Sequence, residues 1–318
     1  IHVYLLSFPT RRSSDRFGVF FFWNIILMKF LSSLRSGFSR GLSARRMVLV
    51  WWFTFFILVI LFVYPMRSTI NTAVGSSMIT ERLARGLDID MITDLGQTLR
   101  SIISYFSAGM LFVYLAGFLL NAFVSGGIFG LLRNKADGTG PDEFFRAGAR
   151  NFWPNIIILF IVTIILFVSM AILLSLTIGA AATPGKVSES VMNIILVSSG
   201  VVMLIIIAVL LLVADYARAW VAAERNRSGL QALGFGFGET FGKFRSSILM
   251  MLILVIVQVF FVLLMMRILS AWTPSSSGGV FLLLIVSQVM LYVRLMLKTW
   301  RYASVTSLME RNSEKIAE

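Results

Sequence analysis

Six stretches of almost uninterrupted apolar sequence, at about Met47–Tyr64, Ser104–Leu131, Asn155–Ile178, Val191–Ala214, Ile248–Leu269 and Val280–Thr299, decide what this chain can fold into. Each is close to or above the roughly 20 residues that a helix rising about 1.5 Å per residue needs to cross a hydrocarbon core. Lipid offers no water to backbone N–H and C=O groups, so a run of this kind must satisfy them within itself, as a helix. Transmembrane strands would be shorter and would alternate apolar with polar residues, and these runs do not. The sequence therefore predicts an all-α, polytopic membrane protein with six transmembrane helices. Only 14% of its 318 residues are charged, against about 25% in soluble domains, which excludes a water-soluble globule of this size.

Lysine and arginine fix the expected orientation. Lys29, Arg35, Arg40, Arg45 and Arg46 precede the first span, and Arg133, Lys135, Arg146 and Arg150 join the second to the third. Arg218, Arg225, Arg227, Lys243 and Arg245 flank the fourth-to-fifth connection, and Arg294, Lys298, Arg301, Arg311 and Lys315 lie toward the end of the chain. These 19 face one side, whereas Arg67, Arg82, Arg85, Arg100, Lys186 and Arg267 make six on the other. The positive-inside rule places the larger set in the cytoplasm, which predicts both termini inside and a multi-pass protein of a bacterial inner membrane. The expected layout is a basic cytoplasmic segment at 28–46, a membrane domain at 47–304 with an external loop at 67–101, and a cytoplasmic tail at 305–318. No small-residue cleavage site follows the first span (Tyr64-Pro65-Met66-Arg67), so it reads as a span rather than a signal peptide. Arg45-Arg46 reads as a membrane-helix anchor rather than a twin-arginine export signal.

Residues Ser7-Phe8-Pro9-Thr10-Arg11-Arg12-Ser13-Ser14-Asp15 resemble the translation of a common short-read sequencing adapter. Segment 1–27 is accordingly expected to be non-native, with Met28 as the start, and is set aside. The competing reading is a membrane-surface arm, since Phe17 to Leu27 is apolar. Without 1–27 the net charge falls from +13 to +11.

The chain also compares with itself. Arg-Asn occurs at 133–134, 225–226 and 311–312, and Tyr216-Ala217 precedes the second pair by the same distance as Tyr302-Ala303 precedes the third. Asn134 to Phe152 and Asn226 to Phe244 cover equal lengths and end on an aromatic before the next span. The implied unit is an interfacial helix followed by a hairpin of two spans, used three times in one orientation. Arg35 to Arg46, with Phe38 and Leu42, would supply the first interfacial helix. In Gly140-Pro141-Asp142-Glu143-Phe144-Phe145-Arg146, proline suits the first helical position and the two acids suit the positive end of the helix dipole. Phe144, Phe145, Gly148, Phe152 and Trp153 then fall opposite Arg146 and Arg150. Such a helix either lies in the headgroup layer against anionic lipid or packs on the spans as a cytoplasmic collar, and the two are compatible. Arg146, Arg150, Lys243 and Arg245 are the candidate headgroup contacts. Gly234-Phe235-Gly236-Phe237-Gly238 follows a membrane helix instead of a strand, which argues against a phosphate loop and for a bend at the membrane surface. The external connection, Arg67 to Arg100, repeats Ile70, Val74, Met78, Leu83, Leu87, Met91, Leu95 and Leu99 at near-helical spacing and is read as one or two short helices capping the outer face. Binding of a partner there is the other reading.

Ionisable groups within membrane spans are functional candidates by default. Arg267, Arg294, Lys298 and Arg301 lie near span ends, where long side chains snorkel to water, and Asp215 can pair with Arg218. Gln258 and Gln288 differ, because each lies near the middle of its span, in neighbouring spans. An unpaired amide in lipid costs several kcal/mol, so they are expected to bond to each other or to line a cavity. Packing is the plainer role and a substrate path the sharper one. Ser198-Ser199-Gly200, Gly109 and Gly117 are small residues that allow helices to approach closely. The chain has no cysteine, and its one histidine is His2. No catalytic, metal or cofactor site is expected, and the chain is not expected to be an enzyme.

The three hairpins, each entered by a surface helix with a phenylalanine-arginine pattern, resemble bacterial multi-pass families around the membrane domain of glycerophosphodiester phosphodiesterases. Gly126-Gly127-Ile128-Phe129-Gly130 before a basic turn, then Glu143-Phe144-Phe145-Arg146, carry the resemblance across spans two to five. The soluble phosphodiesterase domain that performs hydrolysis is not in this sequence, so the resemblance implies a fold and not that activity. The sequence is read as a lipid-interacting protein of envelope maintenance. The alternative is a transporter or export component for a lipid-like or hydrophobic solute, with its path around Gln258 and Gln288. Membrane lipids with anionic headgroups are the expected partners and nucleic acid is not; a homo-oligomer or an envelope protein partner is compatible with the sequence.

Overall fold

The computed structural model describes residues 32–74, 89–133, 140–181, 188–224, 228–274 and 276–317. The reading of 1–27 falls outside them, as do Asn134 and Arg225-Asn226 of the repeated pairs. Nine helices and no strand occur among the described residues. They are α1 (32–43), α2 (Arg45–Val74), α3 (Ile89–Arg133), α4 (Pro141–Arg150), α5 (Phe152–Ala181), α6 (Glu189–Ala223), α7 (Gly229–Gly242), α8 (Phe244–Ala271) and α9 (Ser277–Ala317). Along the chain, one short helix is followed by two long ones, three times over. Six helices are long and apolar enough to cross a membrane, namely α2, α3, α5, α6, α8 and α9. The chain is a multi-pass membrane protein.

Local chemistry explains where the short helices begin. Pro141 opens α4, with Asp142 and Glu143 in its first turn and Arg150 in its last, so charge complements the helix dipole at both ends. Ser228 starts α7 with a capping box, its hydroxyl accepting from the Gln231 N–H while the Gln231 side chain accepts from the Ser228 N–H. Ser188 caps α6 by accepting from the Val191 N–H.

The core gathers at one end of the long helices, where α2, α5 and α8 start and α3, α6 and α9 finish. Val48 and Trp51 of α2, Ile128 and Phe129 of α3, Leu212 and Tyr216 of α6, Met250 and Leu254 of α8 and Tyr302 of α9 form one buried cluster. Ile158 and Val162 of α5 join Val213 and Ala217 of α6 and Leu233 of α7 in a second. Both Tyr-Ala pairs, Tyr216-Ala217 and Tyr302-Ala303, are fully buried, and the Phe129 and Tyr302 rings meet with centroids 4.7 Å apart.

Each short helix lies against the last turns of a long one, and small residues make this contact possible. On α3, a Cβ at Gly127 would stand 2.6 Å from the Phe144 ring of α4, and one at Gly130 would collide with Ala147. Gly126-Gly127-Ile128-Phe129-Gly130 is thus a cradle for α4. On α6, Gly236 of α7 packs against the Val213 carbonyl and Ala217, and the Trp220 and Phe235 rings stack at 5.2 Å. α1 lies on α9, at the far end of the sequence: Gly37 meets Ser304, Gly41 meets Trp300, and Arg40 pairs with Glu310 at 2.7 Å. The Trp300 indole donates to the Leu34 carbonyl at 3.0 Å.

Three features differ from the sequence reading. α3 begins at Ile89, so the later part of the external connection continues a span as one helix instead of forming a separate cap; residues 75–88 lie outside the described ones. The glycine-rich run 234–238 does not bend, because α7 passes through it unbroken and Gly236 serves helix contact. The segment from 305 onward continues α9 to Ala317. Residues 301–309 are buried on every side, so packing against protein carries the helix past the apolar run and into the segment expected as a cytoplasmic tail.

Candidate functional site

One acid organises the polar groups of the membrane-crossing helices. Asp215, near the end of α6, is fully buried and accepts from two arginines: Arg218 Nη1 to Oδ1 at 3.2 Å, one helical turn on, and Arg301 Nε of α9 to Oδ2 at 2.8 Å. Both guanidinium groups are buried as well. Arg301 continues to α8, its Nη1 donating to Gln258 Oε1 at 3.4 Å, and it lies over the Tyr302 ring. One turn back on α9, Lys298 Nζ donates to Asn121 Oδ1 of α3 at 2.7 Å and sits 4.7 Å from the centre of the Trp51 ring of α2. The cluster therefore ties together α2, α3, α6, α8 and α9.

The Asp215–Arg218 pair matches the expectation. Lys298 and Arg301 correct it: they were expected to snorkel outward, and instead each is held by a polar group on another helix. Helix α9 runs a further 16 residues past Arg301, so that position is not the end of the helix, and water is not the nearest partner.

Gln258 is turned to Arg301 through its amide oxygen. Its amide Nε2 and the Gln288 Oε1 have no hydrogen-bond partner, so the two groups left over do not serve one another. Gln258 lines a cavity of about 560 Å³ that Gln288 does not line. The cavity is walled by Phe55, Leu211, Val255, Val259, Leu263 and Leu291, and Asn121, Arg294, Lys298 and Arg301 also face it. Gly109 packs on the Phe62 ring and Gly117 on Phe55, as small interfacial residues should, whereas a Cβ at Gly200 would meet no neighbouring element within 4 Å. Thr177 and Ser199 are within hydrogen-bond reach at 3.3 Å.

The candidate headgroup contacts separate. Arg146 and Arg150 are exposed on α4, and so are Phe145 and, on α5, Trp153, which corrects the expectation that these two aromatics lie on the packed side; Phe144 is buried against α3. Arg146 reaches Glu143 at 3.7 Å. Lys243 is half-buried and bonded to Glu239 one turn back; the Arg245 side chain lies outside the described ones. The same two-faced layout recurs on α1, which exposes Phe38 and Leu42, and at the end of α7, where Phe241 and Phe244 are exposed. Close by α1, a hollow of about 700 Å³ is lined by Ser39, Arg40, Ser43, Arg45 and Arg46 together with Leu131 and Leu132.

Sequence reasoning missed Asn121 and the joining of Asp215 to Arg301. A signal for the second was present: Asp215 stands immediately before Tyr216-Ala217, as Arg301 stands before Tyr302-Ala303, so the pair links corresponding positions of two units. Among the described residues, no group of three His, Cys, Asp or Glu could hold a metal ion. No family model, curated protein or solved structure matches the chain.

Proposed function

We propose that this is a non-catalytic, lipid-interacting membrane protein of the bacterial inner membrane, built from three like-oriented hairpins with both termini in the cytoplasm. Helices α1, α4 and α7 form a collar at the cytoplasmic surface, and its outer face engages anionic headgroups. The observation that carries this reading is the two-faced character of the collar. Each helix packs one face on a span through a glycine contact, and exposed aromatic side chains remain on or just beyond it. On α4 the exposed aromatic is Phe145, next in sequence to Arg146. Exposed aromatics in a water-facing helix are unfavourable, but at a headgroup boundary the rings enter the acyl region and the arginines meet phosphate. The excess of 19 basic residues over six supports the orientation.

Catalysis has little support in the residues. Asp215 is tied between two arginines, and no histidine or cysteine follows residue 2. The likeness to the membrane domain of glycerophosphodiester phosphodiesterases remains part of the proposal and fits this reading, since Gly126–Gly130 and Phe144 of that likeness are the contact that seats the collar. The test is lipid composition around the extracted protein. Extraction in polymer-bounded native discs should yield an annulus enriched in anionic lipid, and the double variant Arg146→Ala/Arg150→Ala should reduce that enrichment. Equal composition in the two proteins would end the headgroup reading.

A further inference from the structure

We propose that the cavity among α2, α3, α6, α8 and α9 binds an anionic amphiphile, an oxyanion head of the phosphate class bearing at least one hydrocarbon chain. Charge comes first. Arg294, Lys298 and Arg301 face the cavity, and no acid is among the residues that line it. The nearby acid, Asp215, is already shared by Arg301 and Arg218. Lys298 has the neutral Asn121 amide and the Trp51 and Tyr302 rings, and no carboxylate lines the cavity with it. A cation held beside lipid without a counter-charge is costly and needs a partner, and an anion in the cavity would supply it.

Hydrogen-bonding capacity points the same way. The lining has used its acceptors and kept donors. Asn121 Oδ1 takes Lys298 and Gln258 Oε1 takes Arg301, while the Gln258 Nε2 and the Trp51 indole Nε1 have no partner. Trp51 is 1% exposed, so its N–H has no water to turn to. A ligand that meets this set must offer acceptors and no donors, as a deprotonated phosphate or phosphodiester does. A quaternary amine would sit against three cations.

The walls specify the rest of the ligand. Val255, Val259, Leu263 and Leu291 offer nothing to a hydrated ion, but they suit a hydrocarbon chain at about 25 cal/mol per Å² of apolar surface buried. Val259 and Leu263 are 42% and 59% exposed, so the cavity wall is continuous with the lipid-facing surface and a chain can reach it from the bilayer. The head then lies at Lys298, Gln258 and Trp51, with the chain along Val259 and Leu263. This inference rests on the reading above only in taking lipid as the solvent; the collar and the cavity are separate sites.

The test uses the full chain in nonionic detergent, with bound lipid counted by native mass spectrometry. Titrants are dioleoyl phosphatidic acid, dioleoyl phosphatidylglycerol, dioleoyl phosphatidylcholine and inorganic phosphate. One saturable site is expected for the two anionic lipids, at least tenfold weaker for phosphatidylcholine and not displaced by equimolar inorganic phosphate. Lys298→Ala should weaken it at least tenfold, and Val262→Trp, which fills the cavity from its wall one helical turn beyond Gln258, should abolish it. Arg146→Ala/Arg150→Ala should leave it unchanged; an anionic-lipid annulus equal in that variant and the parent, with this site intact, would remove the first reading alone. The proposal is overturned if phosphatidylcholine binds equally, if Lys298→Ala folds and binds as before, or if inorganic phosphate displaces the lipid, which would mark a free-anion site. If Lys298→Ala does not fold, Val262→Trp decides: retained binding refutes the cavity.

Discussion

The two ends of the long helices are made of similar residues but held by different solvents. At the end where α1, α4 and α7 lie, Val48, Ile128, Leu212, Met250 and Tyr302 are buried by protein. From mid-span to the other end, Tyr64, Phe167, Val197, Phe260 and Phe281 are each about two-thirds exposed or more. In water the second end would be a large aggregation-prone surface; in a bilayer it is a lipid-facing one, because hydrocarbon contacts these side chains about as well as protein would. Apolar character therefore does not distinguish the ends. What does is the set of small residues and polar ties found where the short helices dock: Gly37, Gly127, Gly130, Gly236 and the Asp215 cluster. Specific packing is concentrated there, and substitutions should act unequally along the same helix.

The largest effect should come from Asp215→Asn, which leaves Arg218 and Arg301 buried with no counter-charge. A cost of about 3–5 kcal/mol is expected, read as loss of folded, monodisperse protein in detergent or a large fall in Tm. Gly127→Val comes next. It forces α4 off its seat on α3, and overpacking of this kind costs about 1–3 kcal/mol; thermal unfolding in detergent measures it, and proteolysis between α3 and α4 should speed up. Gln288→Leu is smaller. Its amide oxygen has no partner, so replacement by an apolar side chain should change stability by no more than about 1 kcal/mol, in the stabilising direction if any. Phe281→Ala, on the lipid-exposed end, should stay within about 0.5 kcal/mol. A reversal of that order, with Phe281→Ala costing more than Gly127→Val, would mean that the two ends are not held as described.

The division between ends also explains how much could be read in advance. The six spans were legible in number and in where they start, because bilayer thickness sets a length that composition alone can satisfy, although the fourth and sixth run on past Ala214 and Thr299. The start of α4 was legible too, from Pro141 with its acids, since caps and dipoles are local, whereas the Ser228 cap of α7 was not singled out. The polar site was only half legible. Gln258 was visible as an amide at mid-span, but Asn121 was not singled out, and Lys298 and Arg301 were assigned to water by their distance from the apolar stretch. That assignment assumes a helix ends where its hydrophobic run ends. α9 does not, because protein buries it beyond that point: Tyr302, Val305, Leu308 and Met309 join the core cluster, and Trp300 and Ser304 meet α1. Which helix lies beside which is a long-range fact, and the pairing of α1 with α9 joins segments more than 250 residues apart.

The central claim is that α1, α4 and α7 lie on one side of a bilayer that the chain crosses six times. The chain has no cysteine, so single introduced thiols report their side cleanly. Ser39→Cys, Asp142→Cys and Gln231→Cys, placed in those three helices, should resist a membrane-impermeant maleimide in intact cells and react after permeabilisation. Ser190→Cys and Ser277→Cys, at the opposite ends of α6 and α9, should react in intact cells. Labelling of any of the first three from outside, or protection of the last two, would contradict the account.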